Sequence, residues 1–296
     1  MKTRRVAVLM ATCNGMAYVK AQIESILQQE NLAVTLFISD DGSTDGTWEY
    51  LQSCSHDQIV LLPRDDRFGS AAGNFFRLIR DVSFSCFDYI ALADQDDLWF
   101  PGKLKRAADT LERLKADIYS GNVLAFWPDG RKMLINKAQA QRQWDYLFEA
   151  AGPGCTYVMQ INAACQLQQF LRAKQAASAD IVLHDWLIYA WARNLGLLWY
   201  IDRVPMMHYR QHANNVVGIN QGVRAAFKRI GKLRDGWYLR QIRCIAEMLE
   251  LASAPPIHWL NQMGCFNRLR LIMAAANCRR RFRDRLGFIL FIALLR

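Results

Sequence analysis

The chain has 296 residues, of which 52% are hydrophobic and 22% are charged, so it is long enough for a substantial core and too apolar for a disordered chain. Its apolar runs fall short of the roughly 18–20 residues that a transmembrane helix needs, which excludes a membrane-spanning protein. Eight scattered cysteines without a CxxC pair lack the spacing of zinc ligands. We interpret the apolar run after the basic N-terminus as a first buried strand and not as a signal peptide.

The first 100 residues alternate between short apolar runs and segments of helical periodicity. Four runs are predicted to be buried strands and the segments between them helices, with Asn14 as the N-cap of the first helix: strands 5–11, 34–39, 59–62 and 89–93, and helices 16–29, 47–52 and one that follows 73–74. Such alternation is typical of a mostly parallel α/β sheet with helices on both faces. Binding sites in these sheets lie at the carboxyl ends of the strands.

Polar and acidic residues follow three of the predicted strands. They are Thr12 to Asn14, the run Asp40-Asp41-Gly42-Ser43, and the run Asp94-Gln95-Asp96-Asp97. Neither a GxGxxG nor a GxxxxGK[ST] motif is present, which disfavours dinucleotide oxidoreductases and P-loop NTPases. A diphosphate is repelled by acidic side chains unless a divalent cation lies between them, so the second run predicts a site for Mg²⁺ or Mn²⁺. The alternative is that this run caps a helix from Leu98 onward.

The two acidic runs, about 50 residues apart, resemble the family 2 glycosyltransferases of the GT-A fold, and the opening segment VLMATCNGMAYVKAQIESILQQ fits the same pattern. The form Asp94-Gln95-Asp96-Asp97-Leu98-Trp99 is similar to the bacterial branch that builds surface polysaccharides, including rhamnosyltransferases. The resemblance covers residues 5–215. It implies a catalytic domain over 1–215, with a nucleotide half to about residue 100 and an acceptor half over 101–215.

The resemblance also implies roles for individual residues. Asp40, with Asp41 beside it, would accept a hydrogen bond from the pyrimidine base of the donor. Asp94 would lie near the ribose, and Asp96 would bind the metal that holds the donor diphosphate. Further nucleotide contacts are implied at Thr12, Asn14, Gly69 and Asn74. For Asn74, the alternative is a helix N-cap.

The acceptor half contains a glycine-rich turn and a second candidate acid. Residues 151–165 combine Gly152-Pro153-Gly154 with an extended apolar segment, in which Thr156 or Tyr157 is placed to touch sugar hydroxyls. His184-Asp185-Trp186 follows the apolar run 181–183, interpreted as a strand. An acid at this place is the general base in the resembled family, and Asp185 is assigned that role, with helix N-capping as the alternative. His184 is either a supporting residue or a contact.

A Tyr-Arg-Gln-His element, residues 209–212, follows a further predicted strand. By resemblance, Arg210 or His212 would neutralise the diphosphate, and His212 would also reach the metal; the alternative for the histidine is a structural role. The QxxRW motif of processive synthases is absent from the sequence, so addition of a single sugar is expected.

The net charge of +10 comes entirely from the last quarter of the chain. Residues 1–220 contain 22 basic and 23 acidic residues, whereas 221–296 contain 15 basic and four acidic ones. We predict a basic helical region over 216–296 that contacts an anionic membrane surface, with Phe288, Ile289, Phe291 and Leu294 entering the interface. The alternative is an ordinary helix packed on the body. Nucleic acid is not an expected partner, because no nucleic-acid module accompanies the basic patch.

The sequence as a whole predicts an inverting, metal-dependent glycosyltransferase. The expected donor is dTDP-rhamnose or else a UDP-hexose, and the expected acceptor is a lipid-linked saccharide at the cytoplasmic face of the membrane. Two alternatives stay open at this point: a sugar nucleotidyltransferase, which usually carries a basic loop after its first strand, and a non-catalytic saccharide-binding or scaffold protein.

Overall fold

A computed structural model describes residues 3–64, 67–212 and 236–295. The strands are β1 Arg5–Thr12, β2 Ala33–Asp40, β3 Ile59–Leu61, β4 Tyr89–Ala93, β5 Leu98–Trp99, β6 Ile118–Gly121, β7 Val123–Phe126, β8 Lys132–Ile135, β9 Val158–Gln160, β10 Trp199–Asp202 and β11 Met207–Arg210. The helices are α1 Val19–Leu27, α2 Thr47–Ser53, α3 Ala71–Asp81, α4 Lys103–Leu114, α5 Ile161–Ala173, α6 Gln175–Ser178, α7 His184–Asn194, α8 Trp237–Met248, α9 Pro255–Asn261, α10 Cys265–Met273, α11 Ala275–Cys278 and α12 Phe282–Leu294.

The central sheet has seven strands in the order β10-β6-β9-β4-β1-β2-β3. All its pairings are parallel except those of β9, which runs antiparallel to β4 and β6. Strands β1 and β4 are buried along almost their whole length, as expected for strands covered by helices on both faces. The prediction of a mostly parallel α/β sheet flanked by helices is therefore confirmed.

A smaller sheet lies beside the central one, in the order β5-β11-β7-β8. Strand β5 begins directly after the second acidic run and pairs with β11, which carries the Tyr-Arg-Gln-His element. The prediction of a helix from Leu98 onward is wrong, because Leu98 and Trp99 form this strand and α4 begins only at Lys103. The pairing is important for the site, since it brings residues about 110 positions apart in the chain next to each other.

Two predicted N-caps are wrong. Helix α1 begins after Tyr18, and Asn14 adopts a left-handed conformation with φ of 50° in the preceding turn. The side chain of Ser70 caps α3 by accepting a hydrogen bond from the Gly73 amide, so Asn74 lies inside the helix. A polar residue near the start of a helix fits several positions in its first turn, and the sequence pattern does not distinguish among them.

The segment before α7 also differs from the prediction. Residues 181–183 form an irregular connection and not a strand, and Leu183 is the N-cap residue of α7. Asp185 therefore lies in the first turn of the helix, so the N-cap alternative for this residue is wrong. Between 151 and 165, only Val158–Gln160 is extended, and α5 starts at Ile161.

The described C-terminal helices pack onto the central core. Ile242, Phe288, Phe291 and Ile292 belong to the same buried cluster as the residues of α3, α5 and α7. The prediction that Phe288 and Phe291 enter a membrane is thus wrong, because both rings are buried against the protein. In the described part of the chain, helices of sufficient length and apolarity to cross a bilayer are absent.

Candidate active site

The carboxyl ends of β1, β2 and β4 meet at one edge of the central sheet. Thr12 at the end of β1 lies opposite Asp40 at the end of β2, and Met10 lies opposite Ala93, the last residue of β4. The residues that follow these strands are therefore neighbours in space, although up to 80 positions separate them in the chain. A cavity of about 500 Å³ opens at this edge, a volume in the range of small-molecule sites.

Most of the predicted site residues line this one cavity. They are Thr12, Asn14, Asp41, Gly69, Asn74, Asp94, Asp96, His184, Asp185 and His212. The cavity thus joins the nucleotide half, the acceptor half and the Tyr-Arg-Gln-His element. The other candidate contacts, at Asp40, Thr156, Tyr157 and Arg210, are not among the residues that line it.

Asp40 has a structural role in the folded chain. Its side chain is 2% exposed, and it accepts hydrogen bonds from the Thr12 hydroxyl at 3.0 Å and the Ser43 amide at 2.9 Å. These bonds hold the ends of β1 and β2 together. Asp41 is the member of the pair that lines the cavity, where it accepts a hydrogen bond from the Phe68 amide. The structure therefore favours Asp41 over Asp40 for contact with a ligand.

Asn74 connects the two strand ends from the helix above them. Its Nδ2 donates to the carbonyl of Ser39 at 2.9 Å and to that of Thr12 at 3.3 Å, while Oδ1 has no donor among the described residues. A buried acceptor without a partner costs free energy, about 1–3 kcal/mol. Because Asn74 lines the cavity, a ligand that donates a hydrogen bond to Oδ1 would remove this cost.

The second acidic run is held by Arg210, the last residue of β11, and by His212, two residues further on. His212 Nε2 lies 2.7 Å from Asp96 Oδ2, and Arg210 Nε donates to the Asp96 carbonyl at 2.8 Å. The guanidinium of Arg210 lies between the rings of Tyr18 and Phe126, 4.8 and 4.6 Å from their centroids. Arg210 therefore positions the acidic turn. It is not one of the residues that line the cavity, where it was expected to contact a diphosphate.

Asp94, Asp96 and His212 all line the cavity, and their carboxylate and imidazole groups are donor types that suit a divalent cation. Among the described residues, the group whose ligand atoms lie within 4.8 Å of one another is Asp94, Asp97 and Cys155. Asp97 and Cys155 are fully buried and are not among the residues that line the cavity. Burial, and then the negative charge of the neighbouring Asp96 carboxylate, raise the pKa of Asp94 to about 7. A cation bound beside these carboxylates would offset their charge, and carboxylate oxygens with one imidazole suit Mg²⁺ or Mn²⁺.

Asp185, in the first turn of α7, lines the same cavity as the residues of the sheet edge. Its Oδ1 accepts a hydrogen bond from the Trp186 amide at 2.8 Å, and burial raises its pKa to about 6. Lys137 opposes this shift through its positive charge. Since a carboxyl group with a pKa of about 6 is mostly ionised at neutral pH, Asp185 is suited to accept a proton from a bound alcohol. Tyr157 is fully buried and its hydroxyl lies within 3.2 Å of the Asp185 carbonyl, so it supports the backbone here.

His184 packs against the glycine-rich turn. Its ring stacks on Phe75 with centroids 4.1 Å apart, and burial lowers its pKa to about 3, so the ring is neutral. A Cβ on Gly154 would lie 2.3 Å from His184 Nε2, a distance that real side chains do not tolerate. The glycine is therefore needed for close approach to the histidine, and His184 acts as a supporting residue.

Sequence reasoning missed Tyr18, Gln95 and Lys137. Tyr18 lines the cavity and stacks on His212 with centroids 4.9 Å apart. The amide of Gln95 pairs with both the N–H and the carbonyl of Cys13, joining the turns after β1 and β4. The side chain of Gln95 also packs against Gly15, where a Cβ would collide with it, and only the structure shows this contact. Residues that act by packing on a distant partner leave no local pattern.

The mostly parallel sheet, the carboxylates at its edge and the further acid on α7 that lines the same cavity are the features of a glycosyltransferase of the GT-A fold. Residues 7–160 match the model of glycosyl transferase family 2. A relative from Shigella flexneri, "dTDP-rhamnosyl transferase RfbG", is 42% identical over 290 residues, which are 96% of this chain and 99% of the relative. The chain belongs to glycosyl transferase family 2, and it is an enzyme of the glycosyltransferase class.

More distant similarities agree with this assignment. A glucosyltransferase from Escherichia coli, "UDP-Glc:alpha-D-GlcNAc-diphosphoundecaprenol beta-1,3-glucosyltransferase WfaP", is 27% identical over 37% of this chain and 42% of its own length. Among solved structures, TarS 1-349 of S. aureus has a TM-score of 0.57 at 11% identity, covering 89% of this chain and 88% of that one. The mannosyltransferase PcManGT from Pyrobaculum calidifontis, in complex with GDP-Man and Mn²⁺, has a TM-score of 0.53 at 13% identity, covering 99% and 87%.

Proposed function

We propose that this protein is an inverting, metal-dependent rhamnosyltransferase. It transfers one rhamnose from dTDP-rhamnose to a saccharide acceptor carried on a lipid, in O-antigen synthesis at the cytoplasmic face of the membrane. The observation that carries the chemical part is the meeting of Asp94, Asp96 and Asp185 at one cavity. The identity of the donor sugar is inferred from the relative that is 42% identical over almost its whole length.

In this proposal, the acidic turn with Asp94 and Asp96 binds the donor, whereas Asp185 acts on the acceptor. Asp96 and His212, with Asp94 beside them, would hold a divalent cation, and such a cation would supply positive charge to offset that of the donor diphosphate. Thr12, Asn14, Asp41 and Asn74 contact the nucleoside, as their places in the cavity lining allow.

Asp185 accepts the proton of the acceptor hydroxyl. As that proton leaves, the acceptor oxygen forms a bond to the anomeric carbon, and the bond from this carbon to the diphosphate oxygen breaks. The nucleoside diphosphate is the leaving group, and because attack comes from the opposite side, the configuration at the anomeric carbon inverts. Residues 1–215 act as the catalytic domain, and residues 216–296 act as a basic region at the membrane surface.

The donor and the metal are tested together with purified protein. A thermal-shift panel of dTDP-, UDP- and GDP-sugars with Mn²⁺ should show the largest stabilisation with dTDP-rhamnose. Release of dTDP from dTDP-rhamnose should require Mn²⁺ or Mg²⁺. Asp96→Ala should abolish both turnover and metal-dependent nucleotide binding, while Asp57→Ala, at an exposed carboxylate, should leave both unchanged. Turnover that persists with the metal chelated would contradict the metal site, and a preference for a UDP-hexose would replace the donor.

A further inference from the structure

Two C-terminal helices expose an unusual share of apolar side chains. Of the fourteen exposed large hydrophobic residues in the described part of the chain, seven lie on α10 and α12: Phe266, Leu269, Met273, Phe282, Leu286, Leu290 and Leu294. The remaining seven are dispersed over several other segments. Single exposed apolar residues are normal on a protein surface, but a concentration on two short neighbouring helices marks a contact surface.

The exposed residues follow the periodicity of each helix. On α10 they are spaced by three and four positions, and on α12 by four, so each set forms a stripe along one side. On α12 the opposite side carries Phe288, Phe291 and Ile292, which are buried in the core. The two helices contact each other, and Arg268 of α10 donates to the carbonyls of Ala293 and Leu295 at the end of α12. The buried side thus fixes the helices to the protein and leaves the stripes outward.

Positive charge accompanies these stripes. Residues 265–295 contain seven arginines and one acid, Asp284. The side chain of Arg283 is 72% exposed, and Arg270 is also exposed. Other arginines serve the fold: Arg280 is buried, where it pairs with Asp145 and Glu149. The surface therefore combines apolar side chains with exposed cations, the composition of a helix that lies in an anionic membrane interface.

The charge also decides between a bilayer and a second copy of the chain. In a two-fold dimer the same patch meets itself, so the arginine-rich surface would face another arginine-rich surface. A bilayer that contains anionic lipid is complementary to both the charge and the apolar stripes.

The helices are joined to the acceptor side of the active site. Tyr238 of α8 stacks on Trp186, the residue after Asp185, with centroids 5.5 Å apart. Arg280, just before α12, reaches the carbonyls of Ala150 and Ala151, next to the glycine-rich turn that lines the cavity. A membrane-bound surface formed by α10 and α12 is therefore connected directly to the segments that carry the general base.

We propose that the stripes of α10 and α12, with Arg270 and Arg283 at their flanks, are a bilayer-binding surface that inserts shallowly into an anionic lipid interface. This proposal rests on the proposed function, which places residues 216–296 at the membrane surface, and it names the side chains that make the contact. This surface differs from the one expected from the sequence, because Phe288 and Phe291 face the core and Phe266, Leu269, Met273, Phe282, Leu286 and Leu290 take their place.

The test is flotation of the full-length protein with vesicles, without any donor sugar. Vesicles of phosphatidylcholine with about a third phosphatidylglycerol should bind the protein, and binding should weaken as salt is raised. The double variant Phe266→Gln and Leu290→Gln should bind at least about tenfold more weakly, because two apolar contacts are lost. Leu195→Gln is the matched control, since Leu195 is 53% exposed and Leu290 is 58% exposed.

Further variants and measurements distinguish bilayer binding from dimer formation and from a loss of enzyme activity. Arg270→Gln with Arg283→Gln should remove the preference for phosphatidylglycerol over pure phosphatidylcholine. Release of dTDP in solution should be unchanged in all these variants, so a failure of the proposed enzyme activity would be seen apart from a failure of lipid binding. Equal binding of the parent and the Phe266/Leu290 variant would overturn the proposal. So would a parent dimer in sedimentation velocity that this variant converts to a monomer, because the surface would then bind a second copy.

Discussion

Replacement of the proposed general base should reduce catalysis and increase stability at the same time. In Asp185→Asn the amide oxygen can still accept the hydrogen bond from the Trp186 amide, so the local structure is kept. Loss of a positioned general base lowers turnover by about 10²–10⁴, or roughly 3–5 kcal/mol of transition-state stabilisation. Nucleotide affinity should stay the same, because Asp185 is the proposed proton acceptor and not one of the proposed nucleotide contacts. The matched control is Asp180→Asn, at an exposed carboxylate four residues before α7.

The stability effect follows from the pKa of about 6. Burial makes the ionised carboxylate unfavourable in the folded protein, so above pH 6 the native state carries a cost of up to about 3 kcal/mol, which disappears below the unfolded pKa near 4. Asp185→Asn should remove it and raise the melting temperature at pH 7.5. In the parent, kcat/KM should fall about tenfold per pH unit below pH 6, as the base becomes protonated. Transfer within threefold of the parent would refute the base assignment, and a lower melting temperature would refute the electrostatic reasoning.

Three further variants test the supporting residues. Lys137→Met should move the acid limb of the pH profile to higher pH, because the lysine's charge lowers the pKa of the base; an unmoved limb would show that this charge does not act there. Gly154→Ala should destabilise the protein by about 1–3 kcal/mol in thermal denaturation, since its Cβ would collide with His184, and the cost should shrink in a His184→Ala background. Tyr18→Ala should weaken Mn²⁺ binding measured by calorimetry, because the ring that stacks on His212 is lost, whereas Tyr18→Phe should retain it; equal Mn²⁺ affinity in both would contradict the stacking role.

Much of the nucleotide side was predictable because its signals are local. Buried parallel strands appear as short apolar runs, and the polar residues after them must lie at one sheet edge whatever the rest of the fold does. Thr12, Asp41 and Asp94 could therefore be assigned to one site by their positions in the chain alone. The pairing of β5 with β11 could not be predicted in this way. The two strands have only two and four residues and lie over 100 positions apart, so their pairing produces no periodic pattern in the sequence.

The direction of individual side chains came only from the tertiary structure. Asp40 and Asp41 are adjacent and chemically identical, yet the pleat of the strand and the Thr12 hydroxyl turn Asp40 inward, while Asp41 faces the cavity. Arg210 has the chemistry of a phosphate-binding residue, but two aromatic rings from distant segments hold its guanidinium beneath the acidic turn. The partner that a buried polar group contacts depends on tertiary packing, which the local sequence does not predict.

The sequence by itself determined the fold class, the sheet edge where the chemistry lies and the basic character of the C-terminal quarter, because periodicity, strand-end carboxylates and charge are properties of the chain. Only the tertiary structure decided which face of α12 is buried. An apolar run without polar positions has no preferred face of its own, and α12 turns Phe288 and Phe291 inward because Phe148 and Tyr238 offer them ring contacts there.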